Sequence, residues 1–282
     1  MNNSSFFKAV PALLWQFLFF YIPLLFVVVL SFTDGTTSGF TLKNYALLFD
    51  SVYGSIVLRS LILAFLTATL CLLIGYPLAY FIALKKRSLK NVFLFFIILP
   101  FWTNLLVLTY AWFFILDRDG LLNSLLMNIG VINEPLALIN NFFAIMIVMF
   151  YCYLPFMIMP LFSVLEKFDL NLIEASKDLG ANQWQTLWNV IIPITMPGIK
   201  AGFLLVFVPA FGEFVIPLLV GGDKYMFVGT LISHYFLIGQ NKFAGSAFTV
   251  LSSCVLFVVV FFVSIFVQKL FPSHREIRET EL

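Results

Sequence analysis

Long uncharged stretches alternate along this chain with short charged ones. The uncharged runs fall at 9–33, 60–84, 91–116, 135–165, 201–222 (broken only by Glu213) and 243–268. Each reaches the roughly 20 residues a helix needs to cross the hydrocarbon core. No water is available there to satisfy an open backbone, so each run must be helical. The pattern predicts six transmembrane helices in an all-α integral membrane protein. The fourth run is over-long, and Asn140-Asn141 mark where its membrane part begins. A shorter apolar stretch, 190–199, holds Pro193 and Pro197 and reads as the entry to the fifth span. Lys8 precedes the first run, but Leu30-Ser31-Phe32 is no small-residue cleavage site. The run therefore predicts a retained anchor helix.

Composition agrees. Of 282 residues, 62% are hydrophobic and 11% charged, against about 25% charged in soluble domains. A net charge of +2 offers no basic field for nucleic acid. Orientation follows from the excess of Lys and Arg in cytoplasmic loops. With the N-terminus inside, 11 of the 16 basic residues lie inside. These are Lys8, Lys85, Lys86, Arg87, Lys90, Lys167, Lys177, Lys200, Lys269, Arg275 and Arg278. Lys43, Arg59, Arg118, Lys224 and Lys242 remain outside, so both termini are expected in the cytoplasm. The chain then divides into an anchor helix with its outer loop (1–55), a membrane domain (56–270) and a cytoplasmic tail (271–282).

Catalytic signatures are missing. The sequence has no Gly-x-x-x-x-Gly-Lys-[Ser/Thr] loop, no His-Glu-x-x-His and no Gly-x-Ser-x-Gly. His234 and His274 lie outside the spans. Cys71, Cys152 and Cys254 each sit in an apolar run at spacings that fit no metal motif, and read as membrane-core residues. No metal site, cofactor or catalytic residue is expected, and any energy source must come from a partner.

The largest cytoplasmic segment, about 166–189, carries the most information. Asn171 with Glu174 resembles a capping box. Leu172, Ala175, Ser176 and Leu179 form a narrow helical stripe of apolar and small residues. Gly180 stands where a left-handed cap would end the helix. Asn182 then caps a second helix bearing Trp184, Leu187, Trp188 and Ile191. Two short helices at a membrane face suit the docking of a soluble partner. An amphipathic hairpin lying on the membrane is the alternative.

At these residues the chain resembles the inner-membrane permeases of ABC importers. Their signature is Glu-Ala-Ala, three residues, Gly, nine residues, then Ile-x-Leu-Pro. Here Glu174-Ala175-Ser176, Gly180 and Val190-Ile191-Ile192-Pro193 keep that spacing, with Ser for Ala at 176, Val for Ile at 190 and Ile for Leu at 192. The resemblance implies a type I (MetI-like) bundle with a coupling segment at 166–193. Glu174, Ala175, Ser176, Lys177, Asp178, Leu179 and Gly180 would form the coupling helix seated in an ATPase. Further patches are similar to the spermidine/putrescine permease subfamily: Pro100-Phe101-Trp102-Thr103-Asn104, Gly120-Leu121-Leu122-Asn123, Leu154-Pro155-Phe156-Met157, and 209–217 with Gly221-Gly222. Implied partners are a second, related permease, a homodimeric cytoplasmic ATPase that binds ATP and Mg²⁺, and an extracytoplasmic polyamine-binding protein. The implied location is the bacterial inner membrane.

Polyamine transport calls for carboxylates and aromatic faces, since ring quadrupoles attract ammonium groups. Glu213 is the acidic residue deep inside a predicted span, between Pro209 and Pro217 and after Gly212. An acid there costs on the order of 3 kcal/mol to insert and should face a cavity or a partner. A purely interhelical hydrogen bond is the other reading. Trp102, Asn104 and Tyr110 are further pathway candidates, with interfacial anchoring as the alternative for the rings. Gly198 and Gly202 match a close-packing GxxxG pattern that is common by chance. An ion-coupled secondary transporter of small organic cations is the rival function. It would need inverted repeats and several buried ionisable groups, and no repeat is visible.

Overall fold

A computed structural model describes residues 3–35 and 39–270. The tail 271–282, with His274, Arg275 and Arg278, lies outside the described residues, as do the side chains of Lys8 and Lys269.

Helices dominate, and among the described residues the only bridge of β type joins Thr33 to Phe40. The long elements are α1 (Val10–Ser31), α2 (Ser51–Ala83), α3 (Arg87–Trp102), α4 (Leu105–Leu116), α5 (Leu121–Asn128) and α6 (Phe142–Leu165). They continue with α7 (Asn171–Asp178), α8 (Gln183–Phe211), α9 (Val215–Val220), α10 (Val228–Ile238) and α11 (Lys242–Leu270). Among the described residues, five helices are long and apolar enough to span a membrane, or six if Arg87–Trp102 and Leu105–Asn128 count as one broken span.

The core is the mutual packing of α2, α6 and α8. Hydropathy does not choose the buried face of α2, because the helix is apolar all round. Size contributes: Ala64, Ala68, Cys71, Gly75 and Ala79 recur at helical spacing in the buried stripe, beside Ile56, Ser60, Leu63, Thr67 and Ile82. Lipid tails are as apolar as leucine, so helices in a bilayer associate by close contact at small residues. Gly198 and Gly202 of α8 lie under α6 in this way. A Cβ on Gly198 would stand 3.0 Å from the Pro160 carbonyl oxygen, and one on Gly202 2.8 Å from the Met157 sulfur. Met157 also faces Gly75, so one unbranched side chain fills the space that two glycines leave. A Tyr76–Thr195 hydroxyl pair at 2.9 Å ties α2 to α8. Thr67 and Thr195 also donate to carbonyls four residues back, which satisfies them within their own helices.

Several expected boundaries move. The second span starts at Ser51 rather than at 60, because Asp50 accepts from the Val52 N–H and begins the helix beyond the apolar run. The division at 55/56 therefore falls inside α2. The third span is not one straight helix. It bends by 95° at Thr103-Asn104, where Thr103 is extended and Asn104 restarts the helix by accepting from the Leu106 N–H at 2.8 Å. The fifth span is Gln183–Phe211 rather than 201–222. It breaks at 212–214, and α9 follows as a short separate helix. The fourth run behaves as read: Asn140 takes φ +58° and Asn141 caps α6 through the Ala144 N–H.

The two ends of the bundle are distinct. At one end Lys90 lies 3.5 Å from Glu166, which brings the Lys85–Lys90 cluster beside the 166–189 segment. At the other, buried Asn123 binds the carbonyls of Asp117, Arg118 and Leu136 and accepts from the Leu136 N–H, closing the 117–136 loop. α1 leans on α11, and none of residues 10–30 is buried.

Replacing Gly202 with Leu drives a branched side chain into the Met157 backbone. It should cost about 1–3 kcal/mol through overpacking and lower the thermal midpoint of detergent-purified protein. Gly54→Ala meets nothing within 4 Å and should leave that midpoint unchanged or raised.

Candidate functional site

Two sites stand at opposite ends of α8. The first is the hairpin of α7 and the start of α8. Asp169, not Asn171, caps α7: its carboxylate accepts from the Asn171 N–H at 3.0 Å. The expected Asn171–Glu174 box is not formed, because helical backbone already begins at Leu170. Glu174 is left exposed. The C-terminal cap is as read. Gly180 has φ +85°, its N–H reaches the Lys177 carbonyl, and the Ala181 N–H reaches that of Ser176. This pair of bonds is the Schellman arrangement, which glycine adopts without strain.

Asn182 and Gln185 then form a reciprocal capping box at 2.9 and 2.8 Å. The helix they open is not a separate short one. It passes through a π-helical turn at Leu187–Ile191 and continues as the fifth span to Phe211. Ser176 turns inward and shares a 2.9 Å hydroxyl contact with buried Thr186. The rest of the stripe turns outward. Leu179 is 89% exposed and Trp184 70%, with Leu172, Ala175, Lys177, Asp178 and Trp188 also exposed. The internally stapled hairpin thus leaves an apolar face that no other part of the described chain covers.

The second site is the break after α8. Glu213 is 8% exposed. Its Oε1 accepts from the N–H groups of Phe214 and Val215, at 2.9 and 2.8 Å, and so caps the short α9. Its Oε2 accepts from the Tyr153 hydroxyl at 2.8 Å, from midway along the 24-residue α6. The carboxylate therefore satisfies the backbone that the break exposes, and ties it to the core. Gly229 of α10 packs against it so closely that a Cβ would run into the Gly212 carbonyl oxygen. The Val228 N–H donates to Ser60 of α2 at 2.8 Å.

Trp102 (76% exposed), Asn104 and Tyr110 lie on the bent α3–α4 span, and no hydrogen bond joins them to Glu213 among the described residues. The link is indirect. α9 packs on α4, and rings run from Tyr153 to Phe156 (6.0 Å between centroids) and on to Phe101 (5.0 Å). Phe101 and Phe156 line a cleft of about 240 Å³ with Leu205 of α8. Tyr153 and Thr186 were not singled out from sequence, because their partners lie on other helices. Cys71, Cys152 and Cys254 are free thiols. His234 is exposed, and no group of His, Cys, Asp and Glu among the described residues is placed to hold a metal.

Comparison with known proteins gives consistent matches. Residues 75–274 match the family profile described as binding-protein-dependent transport system inner membrane component. The spermidine/putrescine transport system permease protein PotB of Haemophilus influenzae is 40% identical over 267 residues, covering 91% of this chain and 93% of its own. The protein of the same name from Escherichia coli is 39% identical over 247 residues, with 86% and 90% covered. A bacterial alginate ABC transporter, solved in complex with alginate pentasaccharide-bound periplasmic protein, superposes with a TM-score of 0.75 over 95% of each chain. At 16% identity that likeness establishes the fold.

Tyr153→Phe removes one donor from a buried carboxylate and should destabilise the protein by about 1.5–3 kcal/mol. Glu213→Leu should cost more than Glu213→Gln, which keeps an acceptor for the α9 N–H groups. Thermal midpoints of the purified variants check both.

Proposed function

This chain belongs to the family of binding-protein-dependent transport system inner membrane components, and from that premise we propose that it is the polyamine-conducting permease of an ATP-driven importer. The sequence match to spermidine/putrescine permeases along nine-tenths of the chain carries the substrate class. Three partners complete the machine: a second, related permease, a cytoplasmic ATPase dimer that binds ATP and Mg²⁺, and a binding protein on the outer face. The ion-coupled alternative is less supported, since the family is binding-protein-dependent.

Orientation is part of the proposal. The Lys90–Glu166 contact gathers the basic cluster and the 166–189 hairpin at one end. A rule that keeps Lys and Arg inside assigns that end to the cytoplasm and supports cytoplasmic termini.

Glu174, Ala175, Ser176, Lys177, Asp178, Leu179 and Gly180 are the handle on which the ATPase acts. The handle is stiff: the Ser176–Thr186 contact fixes α7 to α8, and the Asn182 box caps the start of α8. α8 is one helix of 29 residues, about 43 Å long at 1.5 Å per residue. It ends two residues before Glu213. Closure of the ATPase dimer at the hairpin therefore moves the break at the far end of the same rod. There Glu213 shapes the polyamine route, with Tyr153, Phe156 and Phe101 presenting ring faces to ammonium groups. Trp102, Asn104 and Tyr110 extend it along the bent third span.

Gly180→Pro should abolish ATP-dependent uptake of labelled spermidine and putrescine in proteoliposomes of the full complex. Proline is excluded at φ +85° and lacks the N–H that reaches Lys177. Normal membrane insertion and normal uptake together would remove the coupling role. Glu213→Gln should lower uptake severalfold while the ATPase still co-purifies, and unchanged kinetics with both amines would return Glu213 to a structural role.

A further inference from the structure

The end of the bundle opposite the 166–189 hairpin carries a cleft of about 370 Å³. Arg59 of α2 and Lys224, in the turn before α10, line it with Phe142 and Tyr225. Neither cation has a carboxylate partner among the described side chains, where the ion pairs are Lys43–Asp34 and Lys90–Glu166. The Asp223 side chain lies outside the described set. Two cations in one cleft repel a polyamine and complement an anion.

The cleft does not stop at its charged rim. Ile62 lines it and also lines an apolar groove of about 280 Å³. That groove follows α2 inward past Phe65 and Leu66, between Phe203 of α8 and Val259 of α11. Ile62, Phe65 and Leu66 are spaced i, i+3, i+4 and so share one helix face. From Arg59 to Leu66 the path is about 10 Å along the helix, toward the middle of the bundle. Phe203 and Leu205 are two residues apart on α8, so the groove and the aromatic cleft of Phe101 and Phe156 flank different faces of that helix.

A small anion would use only the charged rim. A ligand that uses rim and groove together has an anionic head and an apolar tail in line with the bilayer normal. We propose that this cleft and groove bind an anionic phospholipid, its phosphate between Arg59 and Lys224 and one acyl chain along Ile62, Phe65 and Leu66. The guanidinium fork suits a phosphate in a bidentate mode, and Tyr225, which lines the same cleft, is an amphipathic ring of the kind that concentrates at head-group level. The lipid wedges α2, α8 and α11 on the flank away from the aromatic cleft. The site is independent of which cation is transported.

Native mass spectrometry of the full chain, purified from membranes and challenged with phosphatidylglycerol or phosphatidylethanolamine, tests the site. Phosphatidylglycerol should be retained over phosphatidylethanolamine. Arg59→Gln and Lys224→Gln should each weaken retention about fivefold, and the pair roughly thirtyfold. Lys224→Arg should keep it, which separates lost charge from lost folding. Leu66→Trp fills the groove with both cations intact and should also displace the lipid. Equal retention of the two lipids, or a double Gln variant of normal thermal midpoint that still holds phosphatidylglycerol, overturns the proposal. So does full displacement by millimolar inorganic phosphate, which would mark a free-anion site. Cross-linking that finds the groove occupied by the second permease overturns it as well.

Discussion

The approach of α8 to α6 at Gly198 and Gly202 is the contact on which the rest of the molecule depends. Burial from water drives soluble helices together, but a helix leaving lipid for a helix gains little that way. What remains is the density of contact. Two glycines one turn apart let the α8 backbone come within reach of the Pro160 and Met157 carbonyls. With α8 fixed there, both of its ends acquire a defined place. One end carries the capped hairpin, and the other brings Glu213 to Tyr153 halfway along α6. A looser α8 would lose the register of handle and break together.

The break itself is a problem of unsatisfied backbone. Interrupting a helix inside a membrane frees N–H groups that cost several kcal/mol each if left bare. Glu213 meets two of them with one oxygen and spends the other on Tyr153. A carboxylate does this better than an amide, because charge-assisted bonds are about twice as strong. The acid is therefore also structural, which answers in part why an ionisable residue is kept at that depth.

What the sequence made legible follows from how local each signal is. Caps involve neighbours, so Gly180, Asn141 and Asn182 could be read directly. Asp169 was missed because Asn171 and Glu174 offered a competing box one turn on. Apolar runs revealed the spans but not their ends. Ser51–Arg59 continues α2 past the apolar stretch, and hydropathy reports the solvent rather than the helix. The same blindness hid the bend at Thr103-Asn104, where uncharged residues flank the break, whereas at 212–214 Pro209, Gly212 and Pro217 already marked a helix able to bend. The Gly198–Gly202 pattern looked like chance because its meaning lies in α6. Serine at 176, read as a small departure from the permease signature, is the residue that hydrogen-bonds Thr186. Only the fold pairs them.

The three hydrogen bonds already made to Glu213 constrain how the proposed pathway would treat its cargo. A multivalent cation facing a bare buried carboxylate would be held strongly and released slowly. Conduction needs attraction strong enough to admit the ion and weak enough to let it leave. With three of its roughly four acceptor sites engaged by Tyr153 and α9, Glu213 would offer that pathway chiefly a diffuse negative potential. In that proposed pathway the rings of Phe156 and Phe101 would add sequential weak sites, each worth about 0.5–2 kcal/mol to an ammonium group depending on desolvation. Spread attraction of this kind lowers the barrier to a flexible cation without creating a trap. Under the proposed function, it would also shift the burden of selectivity to whatever delivers the polyamine and leave the permease to control when the route opens.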